Sequence, residues 1–400
     1  MDRGYKMALK FVDELELENK RVLARFDFNV PLDSDGNITD TTRIDLALPT
    51  IKHILEAGCS KLILMSHLGR PKGQVKKEFS LEPVATYLAE ALEEDVVLTE
   101  SALDRGIKTL LDLNETKIVL LENIRFHPEE EKNDHDFAKQ LSEYGDVYIN
   151  DAFGTAHRKH ASTYEINAFF KGSAAGGFLM KNEIEALNKI VNKPERPFVA
   201  ITGGAKVSDK LKIIERLLTT VDSLIIGGAM AYPFLKAKGY TVGSSMCSDS
   251  DVELARKLLL HGSSSKIMLP VDHIVSDDIE GNPETIKDVN IPDGMIGLDI
   301  GPESLAVFNS KLDRAKTILW NGPMGLFENA HFAKGTTGIA QSLSMNTGYT
   351  LVGGGDSVAA VKKSGLSAKM GHVSTGGGAS LEYIEQGSLP GIQALKFGIS

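Results

Sequence analysis

The chain has 400 residues, 42% of them hydrophobic and 24% charged, with a formal net charge of −10 at pH 7. That length calls for two or three domains, each burying its own core, and the composition excludes a disordered or fibrous protein. The acidic balance speaks against a nucleic-acid binder, which needs a basic stripe; no apolar run reaches the ~18 residues of a membrane span. Residues 1–10 hold no apolar core ahead of a small-residue cleavage site, so no signal peptide is expected. Cys59 and Cys247 stand in unrelated contexts. Neither a metal pair nor a disulfide framework is expected, and a reducing cytoplasm fits.

Apolar runs alternate with amphipathic stretches along the chain. Strands are predicted at residues 21–26, 61–65, 117–121 and 146–150, then at 198–201, 223–226, 317–320 and 350–352. Most are short and rich in Val, Ile and Leu, as strands covered on both faces are. Helices are predicted at 81–92, 209–218 and 250–260. The alternation implies parallel sheets. Residues 172–177, rich in glycine and alanine, read as a hinge or linker. A helix follows at about 179–191, and the two prolines in 193–197 end it. The expected fold is α/β: two doubly wound parallel-sheet, Rossmann-like domains joined by a helix and hinge. The expected boundaries are 1–175, a connecting helix 176–193, and 194–389. The charge runs 93–95 and 129–132 read as solvated surface.

In the first half, basic and polar residues follow the strands. Asp27 and Asn29 come after the first, and His67 and Arg70 lie in Ser66-His-Leu-Gly-Arg-Pro71. Asn123 and Arg125 lie in Glu122-Asn-Ile-Arg-Phe126, and His157 and Arg158 follow Asp151-Ala-Phe-Gly-Thr-Ala156. Arg43 sits in Ile38-Thr-Asp-Thr-Thr-Arg-Ile44. In an open parallel sheet the strands' carboxyl ends share one side, so these residues are expected to converge into a cationic pocket within an acidic protein. The arginine fork suits phosphate and carboxylate, and several together fit a small ligand with more than one anionic group. Taken singly, each arginine reads equally as a surface salt bridge and each histidine as a structural one; convergence decides.

In the second half, five apolar runs end in small residues. They are Ile201-Thr-Gly-Gly-Ala-Lys206, Ile226-Gly-Gly-Ala-Met230, Trp320-Asn-Gly-Pro-Met324, Val352-Gly-Gly-Gly-Asp356 and Ser374-Thr-Gly-Gly-Gly-Ala379. Glycine lets backbone N–H groups approach an anion, and a helix N-terminus adds positive potential. One such loop is a tight turn as readily as a cradle; five point to a phosphate-rich ligand. No Walker string and no dinucleotide fingerprint is present, and Asp151-Ala-Phe-Gly154 is not a protein-kinase motif. Lys206 and Lys210 are four apart and share a face if the helix has begun by then. Asp356 reads either as a helix N-cap or as the one carboxylate that Mg²⁺ takes beside substrate phosphates. Together the halves predict that one domain holds a Mg-nucleotide and the other a small polyanion. A hinge would close over both and expel water, and positioning and charge would supply most of the rate.

Arg21-Val-Leu-Ala-Arg-Phe-Asp-Phe-Asn-Val-Pro31 closely resembles a signature of the phosphoglycerate kinase family. So do the strings at 66–71, 122–126, 151–158, 203–210, 320–328, 353–357 and 372–382, in family order over nearly the whole chain. Ala24 is smaller than the residue usual there, and Thr41 stands where an Asp is common. The resemblance implies reversible phosphoryl transfer between ATP and 3-phosphoglycerate, giving ADP and 1,3-bisphosphoglycerate in glycolysis and gluconeogenesis. It assigns Asp27, Phe28, Asn29, Arg43, His67, Leu68, Gly69, Arg70, Arg125 and Arg158 to the phosphoglycerate. It assigns Gly204, Ala205, Lys206, Lys210, Gly301, Asn321, Pro323, Gly354, Gly355 and Ser357 to the nucleotide, with Gly227 and Gly228 at adenine, Glu328 on the ribose and Asp356 on Mg²⁺. Arg43, Lys206 and Lys210 are the implied catalytic residues, acting on the transferring phosphoryl group. The tail, about 390–400, matches one that packs back on the N-terminal domain. A cytoplasmic monomer without nucleic-acid or membrane partners is implied. Two rivals fit less well. A nicotinamide-dependent dehydrogenase would need the missing glycine fingerprint, and a metabolite sensor would not need Lys206, Lys210 and Asp356.

Overall fold

The computed structural model describes residues 8–113, 115–260, 262 and 264–399. The chain divides into two compact units, Met1–Glu185 with Ser388–Ser400, and Ala186–Gly387. In the first, strands β1 (Arg21–Arg25), β2 (Lys61–Met65), β3 (Val96–Leu98), β4 (Ile118–Leu120), β5 (Val147–Asn150) and β6 (Ala174–Gly176) form one sheet in the order β3-β4-β2-β1-β5-β6. Every pairing is parallel. β2 is buried along its whole length, as a central strand covered on both faces must be. Val22, Ala24, Leu62 and Leu64 pack with Ile44 and Ile51 of helix Thr42–Glu56 and with Leu88 of helix Glu82–Leu92. The tail helix Pro390–Phe397 belongs to this unit, and Gly391 N–H donates to Ala156 O at 2.9 Å.

The glycine- and alanine-rich segment 172–177 contains the edge strand β6, paired with β5 through Tyr148, Ile149 and Asn150. Its small residues have a packing reason. Gly176 bridges to Phe11, and a Cβ there would meet the Phe11 ring at 3.2 Å. The chain passes between the units at Glu185–Ala186, inside helix Phe178–Val191.

The second unit holds β7 (Phe198–Thr202), β8 (Ser223–Ile226), β9 (Ile267–Met268), β10 (His273–Ser276), β11 (Glu284–Ile286), β12 (Ile296–Ile300), β13 (Thr317–Asn321), β14 (Tyr349–Val352) and β15 (His372–Val373). One sheet runs β15-β14-β13-β7-β8-β9, parallel throughout. A smaller antiparallel sheet, β11-β10-β12, was not predicted. Its strands carry polar residues and a register shift between Ile274 and Val275, so no apolar run marks them. The core of this unit gathers Val199, Ile201, Ile318, Trp320 and Val352 with Phe308, Ile339 and Val361 of three helices.

Candidate active site

In the first unit the predicted ligand residues do lie at the carboxyl ends of adjacent parallel strands. Asn29, after β1, accepts from Gly69 N–H at 2.8 Å, after β2. Gly69 has φ +62°, and a Cβ would sit 2.4 Å from the Phe79 ring, so only glycine fits. Arg125, after β4, donates to Gly69 O at 3.0 Å. Arg43 enters from the first turn of its helix and pairs with Asp27. His67 Nδ1 lies 3.9 Å from Asp27 Oδ1. Asn123 donates to Leu68 O at 2.7 Å and Phe79 O at 2.9 Å, fixing the loop after β2 to the loop after β4.

The electrostatics are those of cations crowded together. Burial, then the neighbouring Arg25 and Arg158, hold the Arg125 guanidinium down to about 10. Burial and the charges of Arg25, Arg125 and Arg43 push His67 well below the ordinary imidazole range. Such a cluster is suited to an anionic ligand beyond its own partners Asp27 and Glu131. Arg70 and Arg158 are exposed, and Arg158 Nε donates to His157 Nε2 at 3.2 Å. Phe28 and Leu68 are different: their side chains belong to the core, so they can offer a ligand only backbone.

In the second unit the five glycine loops follow five adjacent strands, β15, β14, β13, β7 and β8, on one sheet edge. They are stitched together by backbone. Gly203 N–H donates to Asn321 O at 3.0 Å, Gly228 N–H to Met324 O at 3.0 Å and Met230 N–H to Gly204 O at 3.0 Å. Asn321 Nδ2 donates to Gly353 O at 2.8 Å, and Ser357 Oγ accepts from Gly322 N–H. A Cβ on Gly203 would lie 2.0 Å from Pro323 O, and one on Gly227 2.4 Å from Met324 Sδ. Gly301 begins helix Pro302–Leu312 beside the smaller sheet, its Cα packed against the buried Asp272 carboxylate. Glu328 is exposed on the loop after β13, and Ala205 and Gly355 are exposed too.

The two lysines do not share a helical face. The α-helix begins at Leu211, two residues later than predicted, after a 3₁₀ turn at Ser208–Lys210. Lys210 Nζ donates to Gly203 O at 2.8 Å, Asn321 O at 3.0 Å and Asn321 Oδ1 at 2.5 Å. An ammonium has three hydrogens, so the protein uses them all. Burial lowers this lysine to about 8, against the pull of Asp356 and Asp209. Lys206 is exposed and makes no hydrogen bond or ion pair with another described residue. Asp356 is likewise exposed; Gly354 holds the N-cap position and Asp356 the first turn of helix Gly355–Lys363, so the N-cap alternative does not hold.

Sequence reasoning missed the residues beneath the site. Glu130, read as part of a solvated charge run, is completely buried and bonded to Ser162. Arg25, at the end of an apolar strand, is completely buried as well. A charged residue inside a run of Val, Leu and Ala was the available signal.

A cation cluster on one α/β unit and five glycine loops along one sheet edge of the other are what a phosphotransferase with two substrates would need. The model of the family described as phosphoglycerate kinase matches residues 12–387. The phosphoglycerate kinase of Anaeromyxobacter sp. (strain Fw109-5) is 53% identical over 98% of this chain and 100% of its own length; that of Moorella thermoacetica is 51% identical over 97% and 99%. Among solved structures, the phosphoglycerate kinase of Coxiella burnetii superposes with a TM-score of 0.88 at 38% identity, covering 97% of this chain and 99% of that one. The Pyrococcus horikoshii enzyme gives 0.84 at 31% identity, covering 98% and 99%. The chain belongs to the phosphoglycerate kinase family.

Proposed function

We propose that the chain transfers a phosphoryl group reversibly between ATP and 3-phosphoglycerate, the phosphoglycerate bound by the first unit and the nucleotide by the second. The observation that carries this division is the pairing of a crowded cation pocket with a backbone cradle across five loops. The acceptor is a carboxylate already ionised at neutral pH, so no general base is needed. One of its oxygens forms a bond to the γ-phosphorus while the bond from that phosphorus to the β–γ bridging oxygen breaks, and ADP leaves with the electron pair. Arg70, Arg125 and Arg158 bind the phosphate of the phosphoglycerate by charge-assisted hydrogen bonds, and Arg43 and Asn29 orient its other end. Lys206, with its donors free, meets the equatorial oxygens of the transferring group. Lys210 joins by giving up one of its three protein acceptors.

Asp356 fits a Mg²⁺ that arrives with the nucleotide. It is an exposed carboxylate beside the glycine cradle, where a carboxylate meeting phosphates needs a cation between them. That ion, when bound, offsets phosphate charge. Closure of the two units around the ligands, a monomeric state and a cytoplasmic, glycolytic role complete the reading. The test is a coupled assay with ATP, Mg²⁺ and 3-phosphoglycerate; turnover is expected, and its absence with a folded protein would refute the assignment. Asp356→Ala is expected to lower turnover strongly across a magnesium titration, and near-normal activity would remove Asp356 from the metal.

A further inference from the structure

Beneath the cation pocket lies a chain of polar groups that the transfer mechanism does not use. Arg25 Nε donates to Ser162 Oγ at 3.0 Å, and Arg25 Nη2 lies 3.2 Å from His67 Nδ1. The remaining fork nitrogen, Nη1, donates to Phe26 O. Ser162 Oγ lies 2.7 Å from Glu130 Oε1, and Ser162 N–H donates to Glu130 Oε2 at 2.9 Å. Arg25, Ser162 and Glu130 are each 0% exposed and His67 is 3% exposed.

Burial and chemistry fix the direction of every bond. Arginine has five donors and no acceptor. Ser162 Oγ therefore accepts from Arg25, and its own hydrogen goes to the Glu130 carboxylate. His67 Nδ1 likewise accepts from Arg25, so it carries no proton and the ring's hydrogen sits on Nε2. A proton on Nδ1 would set two donors face to face without water to separate them, at a cost typical of a buried unsatisfied group.

We propose that Glu130, Ser162 and Arg25 form a buried positioning relay that locks His67 in its Nε2–H tautomer and ties together the segments carrying the ligand cations. None of the three need touch the ligand; the inference rests on the reading that this unit binds phosphoglycerate. The placement in the chain is specific. Arg25 is two residues before Asp27, His67 three before Arg70, Glu130 five after Arg125 and Ser162 four after Arg158. The guanidinium thus joins the segments of His67 and Ser162 to its own, and Ser162 extends the link to the segment of Glu130. Tyr148 adds an O–H bond to Ser162 O at 2.6 Å, and Ala161 N–H donates to Glu130 O at 2.9 Å. The groups facing His67 from packed elements are Arg25, Arg125, Arg43, His160 and Asp27, of which only Asp27 favours an imidazolium. The tautomer is therefore expected to persist through the ordinary histidine titration near about 6.5.

The experiment is long-range ¹H–¹⁵N correlation on histidine-labelled full-length protein, with His67 assigned by its absence in His67→Gln. The parent should show a protonated Nε2 and bare Nδ1 from about pH 5.5 to about pH 8, either side of the ordinary histidine pKa. Ser162→Ala removes the bridge; Arg25 is then drawn to Glu130, releases Nδ1, and the two tautomers mix. Arg25→Lys keeps the buried charge but not the fork and should mix them too. In either variant KM for 3-phosphoglycerate should rise about three- to tenfold, the scale of one lost hydrogen bond, while KM for ATP stays within about twofold. A protonated Nδ1 in the parent overturns the relay even if both variants fail to fold. So does a folded variant with the parental His67 spectrum. Should the parent spectrum be as expected while no phosphoglycerate is turned over, the functional reading falls and the relay stands.

Discussion

Two lysines four positions apart differ in surroundings, since Lys210 is held by three oxygens and Lys206 is exposed. Lys206 is exposed on the loop after β7, and its ammonium is available to a charge that develops only as the phosphoryl group moves. Lys206→Met keeps most of the apolar stem. Turnover should fall by roughly 10²–10³, the scale of one preorganised transition-state donor. Dissociation constants for both ligands, measured by titration, should change less than about tenfold, or ~1.4 kcal/mol. Unchanged turnover with lost ATP affinity would make Lys206 a ground-state ligand and shift the transition-state role to Arg43. Lys210 is caged by three oxygens, and burial lowers its ammonium to about 8. As pH rises through that value the charge is lost, so nucleotide affinity should decline on the alkaline side. Lys210→Arg stays charged over this range and should move the decline to higher pH in a kcat/KM profile. An unmoved limb would show that another group sets it.

The glycine loops are held together at backbone contact, and that closeness is testable. Gly203→Ala would place a Cβ 2.0 Å from Pro323 O, forcing apart the loops after β7 and β13. Overpacking of this kind costs about 1–3 kcal/mol and should appear both in urea midpoints and in nucleotide affinity, with phosphoglycerate affinity spared. Asp299, 1% exposed at the end of β12, accepts from Gly335 N–H at 2.7 Å at the start of helix Lys334–Met345. Burial raises its carboxyl to about 7. The folded value exceeds the unfolded one of about 3.9, so this group's stabilisation is present below that value and lost as pH rises through about 7. Relative to the parent, Asp299→Asn should therefore gain stability between about pH 5 and about pH 8; a pH-independent difference would refute the assignment. The same elements show what sequence alone reveals. β1, β2, β5, β7, β8, β13 and β14 were legible because burial on both faces leaves a continuous apolar run. β6 was not, since Ala174–Gly176 owes its extended form to β5 and Phe11 rather than to its own preferences. The strand-end cations were legible because topology dictates where they meet. Glu130 was hidden, as a carboxylate buried opposite Arg25 looks in sequence like any other in an acidic run.

Phosphoryl transfer sets a requirement on the whole molecule that neither unit meets alone. The cation pocket belongs to the first unit and the glycine cradle to the second, and the chain passes from one to the other inside helix Phe178–Val191 and again after Gly387. Gly387 has φ +78° at the end of helix Gly378–Gln386, a left-handed conformation that glycine adopts without steric cost. These two passages are where the chain crosses between the units. In-line transfer needs reacting atoms about 3–3.5 Å apart, and water must be kept from the phosphoryl group. On the proposed division each ligand would contact its own unit, so an arrangement that brings both sets of atoms together would gain most when both are bound. ADP with Mg²⁺ and 3-phosphoglycerate supply both ligands without a group to transfer. Small-angle scattering should therefore show a smaller radius of gyration with that pair than with either ligand alone or with none. Binding at each site, verified by titration under the same conditions, together with a radius that ignores the ligands, would mean that the site is already closed and that no closure accompanies the reaction.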